Sequence, residues 1–382
     1  MVLKSGRDRS LKNRHPWVYS GAIKEKPHAK EGDVVEVHSN KGDCLGYGHY
    51  APKATLACRM FHFGPVTGEI DRGFWWQKLK HALDFRQKTL DLGDTTGFRL
   101  VHAEGDGLPG IVLDIYGKSA SLQLRTAGAE QLLPVVQDFL VQELGVDDLF
   151  VQTGAKSTLP SQWVLGGQDQ VEFRENGLRF RVDIEHGQKT GFFIDQRDNR
   201  ALLRNYAQGK TVLNCFSYSG AFSVAALAGG AQSVQSVDIS AAAVEQARDN
   251  VALNFGEEPR HEGITADCFQ FLKEMPADHY DLVVLDPPAF TKHISTVDKA
   301  ARGYKEINLK AMKKIKAGGL LFTYSCSQHI SKDLFRKIVF GAAADARRDV
   351  QVVCQMEQSP DHPVSIYHPE GEYLKGLLLH IR

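Results

Sequence analysis

Four side chains in the second half of the chain stand where chemistry is easiest to place. Asp238, Asp267 and Asp286 each follow a short apolar run, and Cys326 follows another. A carboxylate so placed can accept hydrogen bonds from a pair of hydroxyls or from an amino group, since it offers about four lone-pair sites. An earlier apolar run leads into Asn214-Cys215-Phe216-Ser217-Tyr218-Ser219-Gly220. That loop lacks the Gly-x-Gly-x-x-Gly pattern that lets backbone approach a pyrophosphate. S-adenosylmethionine carries no phosphate, and a loop with one glycine suffices at its methionine end. Cys215, Phe216, Ser217 and Gly220 are the residues expected there, with free N–H groups at the following helix start facing the carboxylate. Asp238, 18 residues past Gly220, is placed for both ribose hydroxyls, and Asp267 for the adenine amino group. Any one of these acids reads equally well as a helix N-cap. The set of them points to a cofactor.

Asp286-Pro287-Pro288-Ala289-Phe290 is the most specific of these loops. Two prolines fix backbone dihedrals, and the first also restricts Asp286. Such a rigid loop suits holding the edge of a flat base by hydrogen bonds, with Phe290 offering a stacking face. Cys326 adds a nucleophile. Carbon 5 of a pyrimidine is a poor nucleophile, but a thiolate adding at carbon 6 makes an enamine-like intermediate whose carbon 5 can take up a methyl group. A base, with Asp286 the candidate, then removes the carbon-5 proton and the thiolate leaves. The plain alternative for Cys326 is a small buried residue ending a strand. Cys215 and Cys268 read as packing residues near the cofactor, and Cys44, Cys58 and Cys354 have no chemical context.

These residues need a scaffold that brings strand ends together. From residue 185 short apolar strands alternate with helices: strands at 211–216, 233–238, 263–267, 281–285 and 320–325, helices at 219–228, 240–254, 268–274 and 297–316. That alternation predicts a doubly wound, mostly parallel sheet, a Rossmann-like α/β fold whose ligands bind beyond the carboxyl ends of the strands. Residues 1–67 read as short strands broken by turns, a small β-barrel-like unit. Residues 68–184 read as α+β, with helices at 71–90 and 129–143, Phe74, Trp75, Leu79, Leu83 and Phe85 supplying the apolar face of the first. Three domains are expected: 1–67, 68–184 and 185–382.

The chain has 382 residues, 42% of them hydrophobic and 24% charged, which excludes a disordered or fibrous chain. Its apolar runs are too short to cross a bilayer, no apolar signal-peptide core follows Met1, and no cysteine spacing fits a metal site. A soluble cytoplasmic protein with free thiols, without membrane or metal partners, is expected. The net charge is zero, yet residues 1–30 carry eight Lys/Arg against two acids, and residues 66–185 twelve against eighteen. A basic end on a neutral chain is what a nucleic-acid contact requires; a solvated positive surface looks the same.

Taken together the motifs resemble the bacterial ribosomal RNA large-subunit 5-methylcytosine methyltransferases. The likeness rests on Arg14-His15-Pro16-Trp17-Val18-Tyr19, Glu104-Gly105-Asp106-Gly107-Leu108-Pro109-Gly110 and Gln188-Lys189-Thr190-Gly191-Phe192-Phe193-Ile194-Asp195-Gln196-Arg197. It continues through Phe216-Ser217-Tyr218-Ser219-Gly220, Asp286-Pro287-Pro288-Ala289-Phe290, Ser325-Cys326-Ser327, Asp361-His362-Pro363 and Tyr373-Leu374-Lys375-Gly376-Leu377. It implies a PUA RNA-binding module over region one, a small α+β domain over region two and a class I methyltransferase domain. It implies that residues 190–197 lie over the cofactor, with Gln188, Thr190 and Phe192 among its contacts, and that Cys326 is the nucleophile. On the RNA side it implies Arg14, Trp17, Pro287, Pro288 and Phe290, with 23S ribosomal RNA as partner and a homodimer as an option. The chain departs from the two-cysteine RNA cytosine methyltransferases, which carry a second cysteine where Asp286-Pro287-Pro288 stands. Release of product by that thiol is therefore not available here.

Two other readings of these residues stay open at this point. One is methylation of a base nitrogen, such as guanine N7, which needs no nucleophilic cysteine. The other is a non-catalytic RNA-binding assembly factor that keeps the fold.

Overall fold

The computed structural model describes every residue except 155, 156, 158, 169, 188, 189 and 292. It divides into two compact units: residues 1–174, 182–192 and 360–371 form one, and residues 175–181, 193–359 and 372–382 the other.

In the first unit, strands between Val2–Leu3 and Leu56–Phe63 make a six-stranded sheet around Leu3, Val37, Cys58 and Met60. A five-stranded sheet follows, with Gly97–His102, Ile111–Tyr116, Ser119–Leu124, Asp148–Thr153 and Gln162–Leu165 in spatial sequence. The helix Arg72–Thr89, capped by the Asp71 carboxylate on the Phe74 N–H, buries Trp75, Leu79, Ala82, Leu83 and Arg86. These five recur at helical spacing and make one stripe. Phe85, expected on that face, is exposed, because it falls one position away from the stripe that Arg86 completes. Trp75 joins the two sheets: Phe61 packs on it at 4.6 Å between centroids and the His49 ring stacks on it at 5.5 Å.

The helix expected at 129–143 is broken into Ala127–Glu130, Leu133–Phe139 and a π-helical turn Leu140–Leu144. Pro134 explains the break, since it supplies no N–H and favours the first turn of a new helix. The residues Gln170–Glu175 and Leu178–Asp183 pair as a two-stranded sheet.

The second unit holds a seven-stranded sheet. Its spatial order is His261–Thr265, Ser233–Asp238, Thr211–Cys215, Leu282–Leu285, Gly319–Ser325, Lys375–Ile381, Val350–Met356. The first five run parallel, as their continuous apolar character demands of strands covered on both faces. Leu282–Leu285, at the centre, is wholly buried. Helices Ala221–Ala228, Ala241–Phe255, Cys268–Glu274 and Val297–Lys314 connect them, close to the expected spans. In Ala241–Phe255 the Ser240 hydroxyl accepts the Ala243 N–H, Val244, Ala247 and Val251 are buried, and Gly256 ends the helix at φ 71°. The last two strands run antiparallel to their neighbours, which the alternation of strand and helix does not announce.

Candidate active site

The strand order reverses between Thr211–Cys215 and Leu282–Leu285, and a crevice beyond the carboxyl ends of the strands follows from that reversal. The loop Phe216–Gly220 leaves the first of these strands with Phe216 at φ 59°, Tyr218 at 44° and Gly220 at 72°. A left-handed residue with a side chain costs about 1–2 kcal/mol, so surrounding bonds must hold the loop. The Phe216 N–H donates to Cys268 Sγ at 3.2 Å, the Ser217 N–H to Val237 O at 3.1 Å and the Tyr218 N–H to Asp238 Oδ2 at 3.0 Å. Gly220 is required by packing as well as by its backbone angle. A Cβ there would come within 2.6 Å of Ala247 Cβ on the neighbouring helix.

Asp238 is half-buried. Its Oδ2 accepts the Tyr218 N–H and its Oδ1 accepts the Ser240 N–H at 3.0 Å. Each oxygen keeps acceptor capacity beyond its backbone donor, which matches two adjacent hydroxyls. Ser217 Oγ and Asn214 Oδ1 are buried with no hydrogen-bond partner among the described residues, so a polar ligand at this loop relieves a cost that the empty fold carries. These features fit S-adenosylmethionine. Ile239, next to Asp238, is 71% exposed, an apolar surface beside that carboxylate that sequence reasoning missed; its position directly after a strand-ending acid is the only signal for it. Asp267 does act as a helix N-cap, accepting the Gln270 N–H on Oδ1 at 2.9 Å, and its exposed side chain retains a second oxygen.

Cys215, expected toward the cofactor, is fully buried in the core of the sheet, and burial pushes its thiol well up. Its side chain is packing. Thr190 and Phe192 belong to the first unit. The Thr190 hydroxyl donates to Asp114 Oδ2 at 2.5 Å, and the Phe192 ring is buried edge-on against Phe173. Gln188 lies outside the described residues.

On the fourth strand's loop, Asp286 is half-buried, Pro287 buried and Pro288 exposed. Phe290 does not stand clear as a stacking platform. Its half-buried ring packs at 4.5 Å from that of Tyr304 and 5.8 Å from that of Phe269, which seats the loop on the helix Val297–Lys314. Cys326 follows the neighbouring strand, and its half-buried sulfur lies 3.9 Å from Pro287 O. The structure therefore brings Cys326 and the double-proline loop together. Ser327 beside it is buried, its hydroxyl paired with the Tyr304 hydroxyl at 2.9 Å.

The structure adds Lys375, to which sequence reasoning gave no role. It opens the strand Lys375–Ile381, opposite Ser325 in the antiparallel register, and is only 4% exposed. Its Nζ donates to Ser327 O at 2.7 Å and Tyr373 O at 2.6 Å. Burial pushes this ammonium down to about 8, against the pull of Cys326.

Arg14 and Trp17 lie in the first unit. Arg14 is exposed at φ 61°. The Trp17 indole N–H donates to Glu104 Oε1 at 2.9 Å, and Arg59 pairs with the same oxygen at 2.6 Å, so the indole nitrogen is engaged within the protein.

Residues 145–379 match the S-adenosylmethionine-dependent methyltransferase family, and residues 1–63 match the PUA-like domain. The Ribosomal RNA large subunit methyltransferase I of Alteromonas mediterranea is 41% identical over 394 residues, which cover all of this chain and 98% of that one. The chain belongs to the ribosomal RNA large subunit methyltransferase I family. Members of the same name from Shewanella frigidimarina and Escherichia coli O127:H6 are 40% and 39% identical, each comparison covering at least 98% of both chains. The fold is that of SMU.776, assigned as a methyltransferase and solved in complex with SAH. The two match with a TM-score of 0.86 and 21% identity, over all of this chain and 99% of that one.

Methyltransferase I membership makes S-adenosylmethionine the cofactor, and Asp238, with acceptor capacity left on both oxygens, is the residue whose loss is expected to cost binding most. Replacing Asp238 by alanine should remove two charge-assisted hydrogen bonds to the ligand and would free the left-handed Tyr218. At about 1.5–3 kcal/mol for a bond to a charged group, titration calorimetry with SAH should show affinity lowered by roughly 100-fold or more. Asp267→Ala should cost only about tenfold by the same measure, since one oxygen serves the helix.

Proposed function

We propose that this methyltransferase forms 5-methylcytosine in large-subunit (23S) ribosomal RNA. The observation that carries the chemistry is Cys326 Sγ at 3.9 Å from Pro287 O, a thiol set against a rigid loop suited to hold the edge of a base. The ribosomal RNA target rests on the names of the relatives.

When bound, S-adenosylmethionine supplies an electrophilic methyl group on its sulfonium. Asp238 holds the ribose hydroxyls, the Ser217 hydroxyl and the start of the helix Ala221–Ala228 face the methionine end, and Asp267 accepts from the adenine amino group. The carbonyls of the double-proline loop hold the cytosine edge. The Cys326 thiolate adds to carbon 6, and the pair of electrons displaced from the ring double bond makes carbon 5 nucleophilic. After carbon 5 is methylated, Asp286 takes its proton. The electrons of that C–H bond restore the ring double bond and the carbon–sulfur bond breaks, returning the thiolate.

Residues 1–67 serve as the RNA-binding module. Arg7, Ser10, Trp17 and Tyr19 line a cavity of about 300 Å³ there, and exposed Arg14 adds charge beside it. Phosphate contacts from such a surface make binding fall steeply with salt, each contact adding roughly 0.7–0.9 to the logarithmic slope. Arg14→Gln should flatten the slope for 23S RNA binding by about one contact in filter-binding titrations. A slope indifferent to this change removes Arg14 from the interface.

The function is tested by methylating unmodified bacterial 23S RNA with labelled S-adenosylmethionine and hydrolysing the product to nucleosides. Label in 5-methylcytidine is expected; label in a guanine nucleoside would select the nitrogen-methylation reading, and RNA binding without any label the assembly-factor reading.

A further inference from the structure

Buried lysines outside hydrophobic interfaces are rare, because an ammonium loses its hydration and must be compensated. Lys375 is compensated in an unusual way. Two of its three N–H groups go to main-chain carbonyls, those of Ser327 and Tyr373. Neither carbonyl carries a formal charge. The ammonium is thereby anchored to the residue that follows Cys326, while the strand it opens is paired to the residue that precedes it, Ser325. Both neighbours of the thiol are thus tied to one residue, Ser327 through the ammonium and Ser325 through the strand pairing. Gly376 permits the close approach, since a Cβ there would lie 2.7 Å from the Tyr324 ring.

We propose that Lys375 is the positioning residue of Cys326, fixing the Ser325-Cys326-Ser327 turn and holding the sulfur in its anionic form. The proposal rests on the reading of Cys326 as nucleophile. Two donors serve the two carbonyls in either protonation state; what the sulfur needs from Lys375 is the positive charge of the ammonium. The groups that set its charge are Cys326 and Glu372, which favour the ammonium, and Lys332, which opposes it. Tyr304, raised by its own burial, feels the same sulfur. Beyond Lys375 a cavity of about 250 Å³ is also lined by Lys332, Asp333, Arg336 and Glu357. With the ammonium pushed to about 8, the cation is mostly present at pH 7 and is lost as the pH rises past 8. Support for the thiolate should fade over that range.

The test reads Cys326 directly, without methyl transfer. The full-length protein is alkylated with iodoacetamide from pH 5.5 to 9.5, and the modified Cys326 peptide is quantified by mass spectrometry, with the Cys44 peptide as internal control. In the wild type Cys326 should react with a midpoint well below that of Cys44. Lys375→Gln keeps donors for the carbonyls but removes the charge, and should raise the Cys326 midpoint by about one pH unit or more. Thiolate is then roughly tenfold scarcer at neutral pH, but its nucleophilicity rises with basicity, so the alkylation rate at pH 7 falls about threefold. Lys375→Arg should restore most of the wild-type profile. A Cys326 midpoint unmoved in Lys375→Gln, with the variant folded by circular dichroism, overturns the proposal. Should Lys375→Gln fail to fold, a wild-type Cys326 that titrates no lower than Cys44 overturns it equally. Neither result touches the methylation reading, which falls only if Cys326→Ala still forms 5-methylcytidine.

Discussion

Cys326→Ala should abolish the appearance of label in 5-methylcytidine, a loss of roughly 10³-fold or more, because in the proposed reaction its bond to carbon 6 is what makes carbon 5 nucleophilic. The size of the effect follows from the chemistry. Without a carbon–sulfur bond the ring double bond keeps its electrons, and positioning alone does not replace them. Binding of S-adenosylmethionine should stay within about twofold, since the proposed cofactor contacts are at Phe216–Gly220, Asp238 and Asp267 and not at the sulfur. The fold should survive as well. Losing one half-buried sulfur atom costs on the order of 1 kcal/mol. Tritium release from carbon 5 of labelled RNA, followed alongside methyl transfer, checks the point. A variant that still transfers methyl groups at the wild-type rate would place the chemistry on a base nitrogen.

The largest effect on stability is expected from Arg86→Met. Arg86 is fully buried on the helix Arg72–Thr89. Its guanidinium forks onto Asp106 at 2.5 and 2.8 Å, and donates to the carbonyls of Arg99 and Asp361, each at 2.8 Å. Asp361 in turn accepts the Arg99 N–H at 3.0 Å and pairs with His362. A methionine fills the volume but leaves the Asp106 carboxylate, which also accepts the His102 N–H, without its cation and two buried carbonyls without their donor. Breaking a buried pair from one side costs about 3–5 kcal/mol. For a unit of this size that lowers the melting temperature by roughly 10 °C or more, measurable by calorimetry. The same contact explains why two motifs distant in sequence match a family pattern. Glu104-Gly105-Asp106 and Asp361-His362-Pro363 meet in one packed knot, and a Cβ on Gly105 would strike Pro363 O at 2.0 Å. In sequence they carry the family likeness without a role, and their place in the fold is structural.

That pair of motifs marks the border of what was legible. Period and capping carried the parallel strands and their helices, since Leu282–Leu285 can only be a strand covered on both faces, and Ser240 and Asp267 sit where helices start. The acids at strand ends followed from the topology, and the structure confirms their place at the ends of the sheet. Local signals could not carry what depends on distant partners. The antiparallel strand Lys375–Ile381 returns across the edge of the sheet, so Lys375 arrives opposite Ser325 from 50 residues further along the chain. Arg86 reads as a surface charge until Asp106 and Asp361 are known to face it. Phe290 offers an aromatic ring in sequence, and only the packing of Tyr304 and Phe269 shows how far that ring is taken up by the protein. Cys215 and Cys326 both follow apolar runs. What separates them is that one is enclosed by Cys268 and the sheet while the other stays half-exposed beside Pro287.

The proposed reaction passes through a carbon–sulfur bond between Cys326 and carbon 6 of cytosine, and a 5-fluorocytidine-substituted 23S RNA tests that bond most directly. Fluorine at carbon 5 cannot leave as a proton does, so the methylated adduct has no route to release its thiolate. Incubation with S-adenosylmethionine should give a protein–RNA complex that survives denaturing electrophoresis, and digestion should place the nucleotide on the peptide that contains Cys326. Full methyl transfer to this RNA with no denaturant-stable complex, and the methyl group on a base nitrogen, would contradict it.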